Sequence, residues 1–194
     1  MNIRMHHIPL AICVVALSGF ATARADDDLK TEAAHAIDSF KKADPGLTQF
    51  FTDSAGYAVF PTVGKGGLVV GGAHGKGVVY EKGKSVGQAA LSQASIGAQA
   101  GGQSFAEVIF FESPTALSDF KEGKFEMSAD LSAVVASEGA SKSAKYKNGV
   151  AVFTMAKKGL MVQASIGGQK FKFQPDPMQP TGRTNEVDKA TEEK

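Results

Sequence analysis

The sequence predicts a single α+β domain in which a curved, mostly antiparallel β-sheet carries flanking helices. Two short segments have the spacing of amphipathic helices, and most of the remaining chain alternates short β-type runs with glycine-rich turns. Several of these turns have the composition of hairpin turns, which favours antiparallel pairing of neighbouring strands. A chain of 194 residues with 43% hydrophobic residues is long enough for one such core.

Residues 1–25 have the features of a secretory signal peptide. Arg4 supplies the positive charge, residues 10–17 form a short apolar run, and Ala23-Arg24-Ala25 is an A-x-A cleavage site. The apolar run is shorter than the roughly 20 residues of a membrane-spanning helix, although a retained anchor is the alternative. Ile12 stands before Cys13 where lipid attachment would favour a small residue. We therefore predict a bacterial protein that is periplasmic or secreted, with peripheral membrane association left open.

Composition excludes several kinds of site. The chain has 21 Lys+Arg against 20 Asp+Glu, a balance that disfavours a nucleic-acid binder driven by bulk positive charge. Removal of residues 1–25 takes away the single cysteine and leaves two histidines, His35 and His74. A cysteine nucleophile, a disulfide scaffold and a His-rich metal site are thereby excluded, and we predict neither a metal nor a cofactor.

The first helix is predicted over residues 29–43, where apolar residues recur on one helical face before Pro45 ends the helix. This face either packs on the sheet or lies in a membrane interface. Asp44-Pro45 then caps and starts a short second helix, with proline at its first position, which runs through Phe50-Phe51. A third begins at Ser113-Pro114, an N-cap followed by proline at the first helical position, and ends at Gly123.

Strands are predicted wherever β-branched and aromatic residues cluster between turn signals. Turns are expected at residues 81–84, at Asn148-Gly149 and at residues 157–159. Residues 128–137 fit either the helical or the strand period. The chain from 175 to 194 is predicted to be a disordered tail, so the domain spans residues 26–174. The predicted strands are, in order, 57–60, 68–70, 78–80, 105–111, 150–155, 160–166 and 170–173.

Residues 56–102 hold 13 of the 22 glycines and four lysines against one acidic residue, Glu81. The glycines fit neither the phosphate-loop pattern nor the dinucleotide-binding pattern. Backbone N–H groups in glycine turns bind anions, and nearby cations strengthen such a site. In the alternative interpretation the glycines serve the turns and the lysines protect exposed strand edges. The candidate headgroup-binding residues are Lys65, His74, Lys76, Lys82 and Lys84.

We expect these five residues to lie near one another. Pairing of the predicted strands 68–70 and 78–80 would place Lys65 and residues 82–84 toward one end of a hairpin. His74 and Lys76 would then occupy the connecting turn.

Catalysis has little support in the sequence. No G-x-S-x-G motif is present, and Ser95 lies in Ala-Ser-Ile-Gly without the first glycine. Glu107 lies on a strongly apolar strand, where a paired structural carboxyl is a better interpretation than a general acid. We predict that the protein is not an enzyme. A hydrolase would require a deep cleft with a polarised serine or glutamate beside His74.

Several motifs in one order resemble the SYLF domain, a family that includes a yeast actin-binding protein. The resemblance spans roughly residues 30–175. Its motifs are Tyr57-Ala58-Val59-Phe60-Pro61, Gly64-Lys65-Gly66-Gly67, residues 71–77, Ser95-Ile96-Gly97-Ala98-Gln99, Phe110-Phe111, residues 148–153 and Lys158-Gly159-Leu160.

The resemblance implies a non-catalytic lipid-binding domain. Eukaryotic relatives are associated with phosphoinositides, membranes and actin, whereas bacterial relatives are exported proteins. In a periplasm, the corresponding partner is the surface of an anionic phospholipid membrane, and neither actin nor nucleic acid is expected. The alternative is a structural or stress-related envelope protein without a ligand.

Overall fold

The computed structural model describes residues 18–67, 70–96, 103–128, 131–158 and 166–177. They form one α+β domain built on a seven-stranded sheet, as the sequence predicts. The helices are α1 (Ser18–Ala43), α2 (Leu47–Asp53), α3 (Pro114–Lys121) and α4 (Ala140–Ser143). The strands are β1 (Gly56–Gly67), β2 (Val70–Glu81), β3 (Lys84–Ile96), β4 (Gln103–Phe111), β5 (Val134–Val135), β6 (Val150–Lys158) and β7 (Gln169–Pro175).

The strand order is β5-β6-β4-β1-β2-β3-β7, and every pair except β5–β6 is antiparallel. The predicted strands 57–60 and 78–80 are too short, and of the predicted strand 68–70 only Val70, the first residue of β2, lies within the described residues. Gly56 pairs with Glu81 and Gly67 with Gly71, so β1 and β2 form one long hairpin, and β3 occupies a region without a predicted strand. Glycine and small polar residues lower strand propensity, but pairing on both sides outweighs that preference.

The sheet buries apolar side chains on both faces. Its inner face packs against α3, and this core includes Phe60, Leu91, Phe105, Phe111 and Phe120. Its outer face packs against α1 and α2, and this second core includes Ala33, Phe40, Val78, Phe110 and Phe153. Helix α1 therefore buries its apolar face against the sheet. At β2, inner-face positions are occupied by Ala73, Gly75, Gly77 and Val79, which alternate with the outer-face residues.

The sheet is strongly curved around its inner face. Gln169, at the start of β7, donates a hydrogen bond from Nε2 to Glu107 Oε2 of β4 over 3.0 Å. In the strand order, three strands separate β4 from β7, and a flat sheet would hold the two strands roughly 19 Å apart. The side chains meet only because the sheet curls, which confirms the predicted curvature.

The helical predictions are confirmed, with differences at the ends. Helix α3 begins at Pro114 with Ser113 as its N-cap, whose Oγ accepts a hydrogen bond from the Ala116 N–H over 3.2 Å. Helix α2 begins at Leu47 rather than at Pro45, because Asp44 turns the chain and accepts a bond from the Gly46 N–H. Among the described residues, no helix has the length and apolarity needed to cross a membrane.

The predicted turn at residues 157–159 is wrong, because Lys157 and Lys158 belong to β6. The turns at Lys82-Gly83 and Asn148-Gly149 are present, and all four residues have positive φ. Strand β7 confirms the alternation of Phe171 and Phe173 with lysines, and extends to Pro175. Most of the predicted strand 160–166, the signal segment up to residue 17 and the tail from residue 178 lie outside the described residues.

Candidate anion-binding face

Helix α1 covers only part of the outer face, and beyond it the sheet is exposed. We call this exposed region of β1, β2, β3 and β7 the bare face. Among the described residues, its outward side chains are small, basic or glutamine, and all are exposed or half-buried. They are Thr62, Gly64, Gly66, Gly72, His74, Lys76, Gln88, Ala90, Ser92, Ala94, Lys170, Lys172 and Gln174.

Glycine and other small residues leave much of this face without large side chains. A Cβ added at Gly64 or Gly66 would meet no atom within 4 Å, so both positions open directly to solvent. Gly64 pairs with His74, and Gly66 pairs with Gly72. Backbone atoms are therefore accessible to a large partner along two neighbouring strands, as in other sites where a surface approaches a glycine-rich strand closely.

The bare face carries positive charge from several strands. Lys76 of β2 is aligned with Ala90 of β3, and Ala90 with Lys172 of β7. His74 is aligned with Ser92, and Ser92 with Lys170, one outer-face position further along. At the β6 side, Lys157 Nζ donates a hydrogen bond to Thr62 Oγ1 over 2.9 Å.

Acidic groups lie only at the borders of the face, among the described residues. Glu126 Oε1 is 3.5 Å from Lys170 Nζ, but both side chains are 72% exposed, so the pair contributes little stability. At the other border, residues 26–32 of α1 approach Lys76. Asp26, Asp28 and Glu32 line a depression of about 350 Å³ together with Lys76.

The five predicted site residues do not lie together, which corrects the expected arrangement. Lys65 pairs with Ala73 and is 8% exposed on the inner face, near the end of β1. Lys82 and Lys84 flank the β2–β3 turn, roughly 25 Å from that end along the hairpin. His74 and Lys76 lie within β2 rather than at a turn. Of the five, the structure places only this pair on the bare face.

The sequence analysis missed the contribution of Lys157, Lys170 and Lys172 to this face. The alternation of Lys170 and Lys172 with phenylalanines did predict an exposed side of β7. The strand order decides what lies beside that side, because β7 pairs with β3 and β3 with β2. Lys170 and Lys172 are close to one hundred residues from His74 in the sequence, so no local pattern indicates that they lie on the same face as His74.

Glu107 lies on the opposite side of the sheet from His74. It is fully buried on the inner face, and burial raises its pKa to about 7, although the hydrogen bond from Gln169 works in the opposite direction. Glu107 Oε1, Thr154 Oγ1 and Gln169 Oε1 are buried without a hydrogen-bond partner. The carboxyl is therefore not placed to act with His74 on one substrate.

Among the described residues, no group of three or more histidine, cysteine or acidic side chains is arranged to bind a metal ion.

Two comparisons with known proteins bear on this fold. The sequence profile of the family described as "Ysc84: Las17-binding protein actin regulator" matches residues 92–177, from within β3 to just beyond β7. The chain is also 29% identical over 150 residues to Beta cell expansion factor A of Aeromonas veronii. That match covers 76% of this chain and 57% of the relative, so the chain spans just over half the length of that protein.

Proposed function

Because the chain carries a domain of the Ysc84/SYLF family, we propose that it is a non-enzymatic protein that binds the surface of anionic phospholipid membranes through the bare face. The observation that carries this proposal is that Lys76, Lys170 and Lys172 emerge on one exposed sheet surface that has no acidic side chain of its own among the described residues. Such a surface is complementary to a plane of lipid phosphates.

The energetics suit a reversible, salt-dependent association. Each basic residue that reaches an anionic membrane surface contributes about 1 kcal/mol. Three lysines on the bare face would therefore supply about 3 kcal/mol. His74 on the same face and Lys157 at its rim would add to this. The interaction would weaken as salt screens the charges. Lys65 is left out because it is buried, and Lys82 and Lys84 are left out because they lie at the far end of the hairpin.

The proposed compartment is the periplasm or the exterior, since the segment 1–25 has the features of a signal peptide. Phospholipid headgroups are the anionic surface found there. Sequencing the amino terminus of the protein purified from the cell envelope tests this point, and the expected first residue is Asp26. An amino terminus that retains residues 1–25 would contradict it.

Co-sedimentation with vesicles tests the binding itself. Wild-type protein should bind vesicles that contain phosphatidylglycerol at low salt and should be released at high salt. The variant Lys76→Gln/Lys170→Gln/Lys172→Gln should bind about a hundredfold more weakly. The matched control, Lys82→Gln/Lys84→Gln/Lys145→Gln, removes the same charge from exposed positions elsewhere and should bind nearly as wild type.

Circular dichroism establishes that both variants fold, because exposed lysines contribute little to stability. If the bare-face variant and its control bind equally well, the bare face is not the membrane-binding surface. If wild-type protein fails to bind anionic vesicles at low salt, the proposed function is wrong.

A further inference from the structure

The basic side chains of the bare face form two parallel cross-strand rows. The first row runs from Lys76 through Ala90 to Lys172, and the second from His74 through Ser92 to Lys170. In each row a basic residue of β2 and a basic residue of β7 flank one small residue of β3. Directly aligned residues of antiparallel strands share a face, so all four basic side chains emerge on the outer side.

The register fixes the dimensions of this arrangement. Strands β2 and β7 are two strand spacings apart, which is about 10 Å. The two rows are offset by two residues along the strands, which is about 7 Å. The four basic residues therefore mark the corners of a rectangle, and Ala90 and Ser92 form its floor. Because these floor residues are small, a ligand can enter between the flanking cations.

Each row borders its own depression. The second row lines a depression of about 500 Å³, in which His74, Ser92 and Lys170 are joined by Gly72 and Gly168. The first row lines a smaller depression of about 160 Å³, with Lys76, Ala90 and Lys172 among its residues. Neither depression has an acidic residue among those that line it. Each one thus provides a separate place for an anion between two basic groups.

From this geometry we infer that the bare face recognises a lipid headgroup with two phosphates, such as that of cardiolipin, by placing one phosphate in each row. The inference rests on the proposed function and specifies its ligand. Two phosphates joined through three carbons and two ester oxygens are separated by about 7 Å, as follows from ordinary bond lengths, and this matches the offset between the rows. A headgroup with a single phosphate occupies one row and leaves the other without an anion.

A lipid headgroup suits the face better than a single-stranded nucleic acid does. Proteins that bind single strands place aromatic side chains under successive bases. The outward residues of the bare face include no phenylalanine or tyrosine and no side chain larger than lysine. The surface offers charge and small side chains without stacking platforms, which suits phosphates at a bilayer surface.

The experiment compares two vesicle compositions at the same charge and the same salt concentration. One contains cardiolipin, and the other contains twice as many molecules of phosphatidylglycerol. Wild-type protein should bind the cardiolipin vesicles about tenfold more tightly. The single-row variants Lys172→Gln and Lys170→Gln should each lose most of this preference while still binding both kinds of vesicle. The matched control Lys82→Gln/Lys84→Gln should retain the preference.

Equal binding of wild-type protein to the two matched compositions would overturn the inference and leave the proposed function standing. Failure to bind either composition would contradict the proposed function itself. Loss of the preference in the control variant would also overturn the inference, because it would trace the preference to total charge. Tighter binding to single-stranded DNA than to cardiolipin vesicles at the same salt would show that the face binds nucleic acid rather than a lipid membrane, and it would overturn the inference.

Discussion

Gln169 Nε2 donates a hydrogen bond to Glu107 Oε2 across the inner face, and this 3.0 Å contact joins the edge strand β7 to β4. Both residues are fully buried. The contact links two strands that are far apart in the strand order of the curved sheet. It also brings an ionisable group, the Glu107 carboxyl, into the buried interior. The opposite, outer side of β2, β3 and β7 is the bare face.

The buried carboxyl predicts that stability falls as pH rises. Burial raises the pKa of Glu107 to about 7 from 4.5, so the folded state binds a proton more tightly than the unfolded state does. This contribution is fully present below about pH 4.5 and is lost as pH rises through 7, with a total on the order of 3 kcal/mol. Urea unfolding of wild type and Glu107→Gln at pH 5 and pH 8 measures it. The variant should lose less stability between these pH values, and parallel losses in the two proteins would contradict the prediction.

The stability that Asp44 contributes depends on pH in the opposite direction from that of Glu107. Burial works to raise the pKa of this carboxyl, but bonds from the backbone of Ser141 and of Gly46 outweigh burial, and the pKa lies below its usual value of 3.8. Its Oδ2 accepts from the Ser141 N–H over 2.6 Å, which ties the end of α1 to α4. The stability it contributes is present above pH 3.8 and is lost as pH falls through the lowered pKa.

Substitution of Asp44 by alanine should therefore cost about 2 kcal/mol at neutral pH, since it removes the charged acceptor of the Gly46 and Ser141 N–H groups. Thermal or urea unfolding measures the loss. The exposed residue Asp38 provides the control, because Asp38→Ala removes the same charge from α1 without breaking these bonds. Equal effects of the two substitutions would show that the contacts of Asp44 are unimportant.

The acidic residues Asp28 and Glu32 of α1 should weaken membrane binding. Asp28 and Glu32 share a depression with Lys76, so they compete with lipid phosphates for this lysine and repel an anionic surface. The variant Asp28→Asn/Glu32→Gln should bind phosphatidylglycerol vesicles roughly fivefold more tightly at low salt. Asp38→Asn/Glu138→Gln changes net charge equally at other exposed positions. If this control gains as much affinity, the position of the acids beside Lys76 has no effect.

Two glycines of the β1–β2 hairpin should respond differently to alanine. A Cβ at Gly77 would lie 2.6 Å from both the Val59 carbonyl oxygen and Phe60 Cδ1, so Gly77→Ala must displace the backbone or the buried ring. We expect a loss of about 2 kcal/mol in unfolding free energy. Gly64→Ala, on the bare face, meets open space and should change stability by less than about 0.5 kcal/mol. A Gly77→Ala variant as stable as Gly64→Ala would contradict the packing of the inner face.

Patterns local in sequence were sufficient to predict the type of fold. The start of helix α3 is determined by Ser113-Pro114. The apolar face of α1 is determined by apolar residues that recur at helical spacing. Turns with positive φ at Lys82-Gly83 and Asn148-Gly149 were visible as short motifs, because few residue types adopt that conformation at low cost. Strand length was harder to predict, since the glycine-rich parts of β1 and β2 are strands through pairing on both sides.

The sequence by itself determined the helices α1, α2 and α3, the apolar centres of most strands and the location of a glycine-rich, basic segment. Tertiary structure decided which basic residues share a surface. It removed Lys65 to the inner face, separated Lys82 and Lys84 from His74 and Lys76, and brought Lys170 and Lys172 beside them. The physical reason is that side-chain alternation is a local property of a strand, whereas the neighbour of a strand is set by hydrogen bonding between segments far apart in the chain.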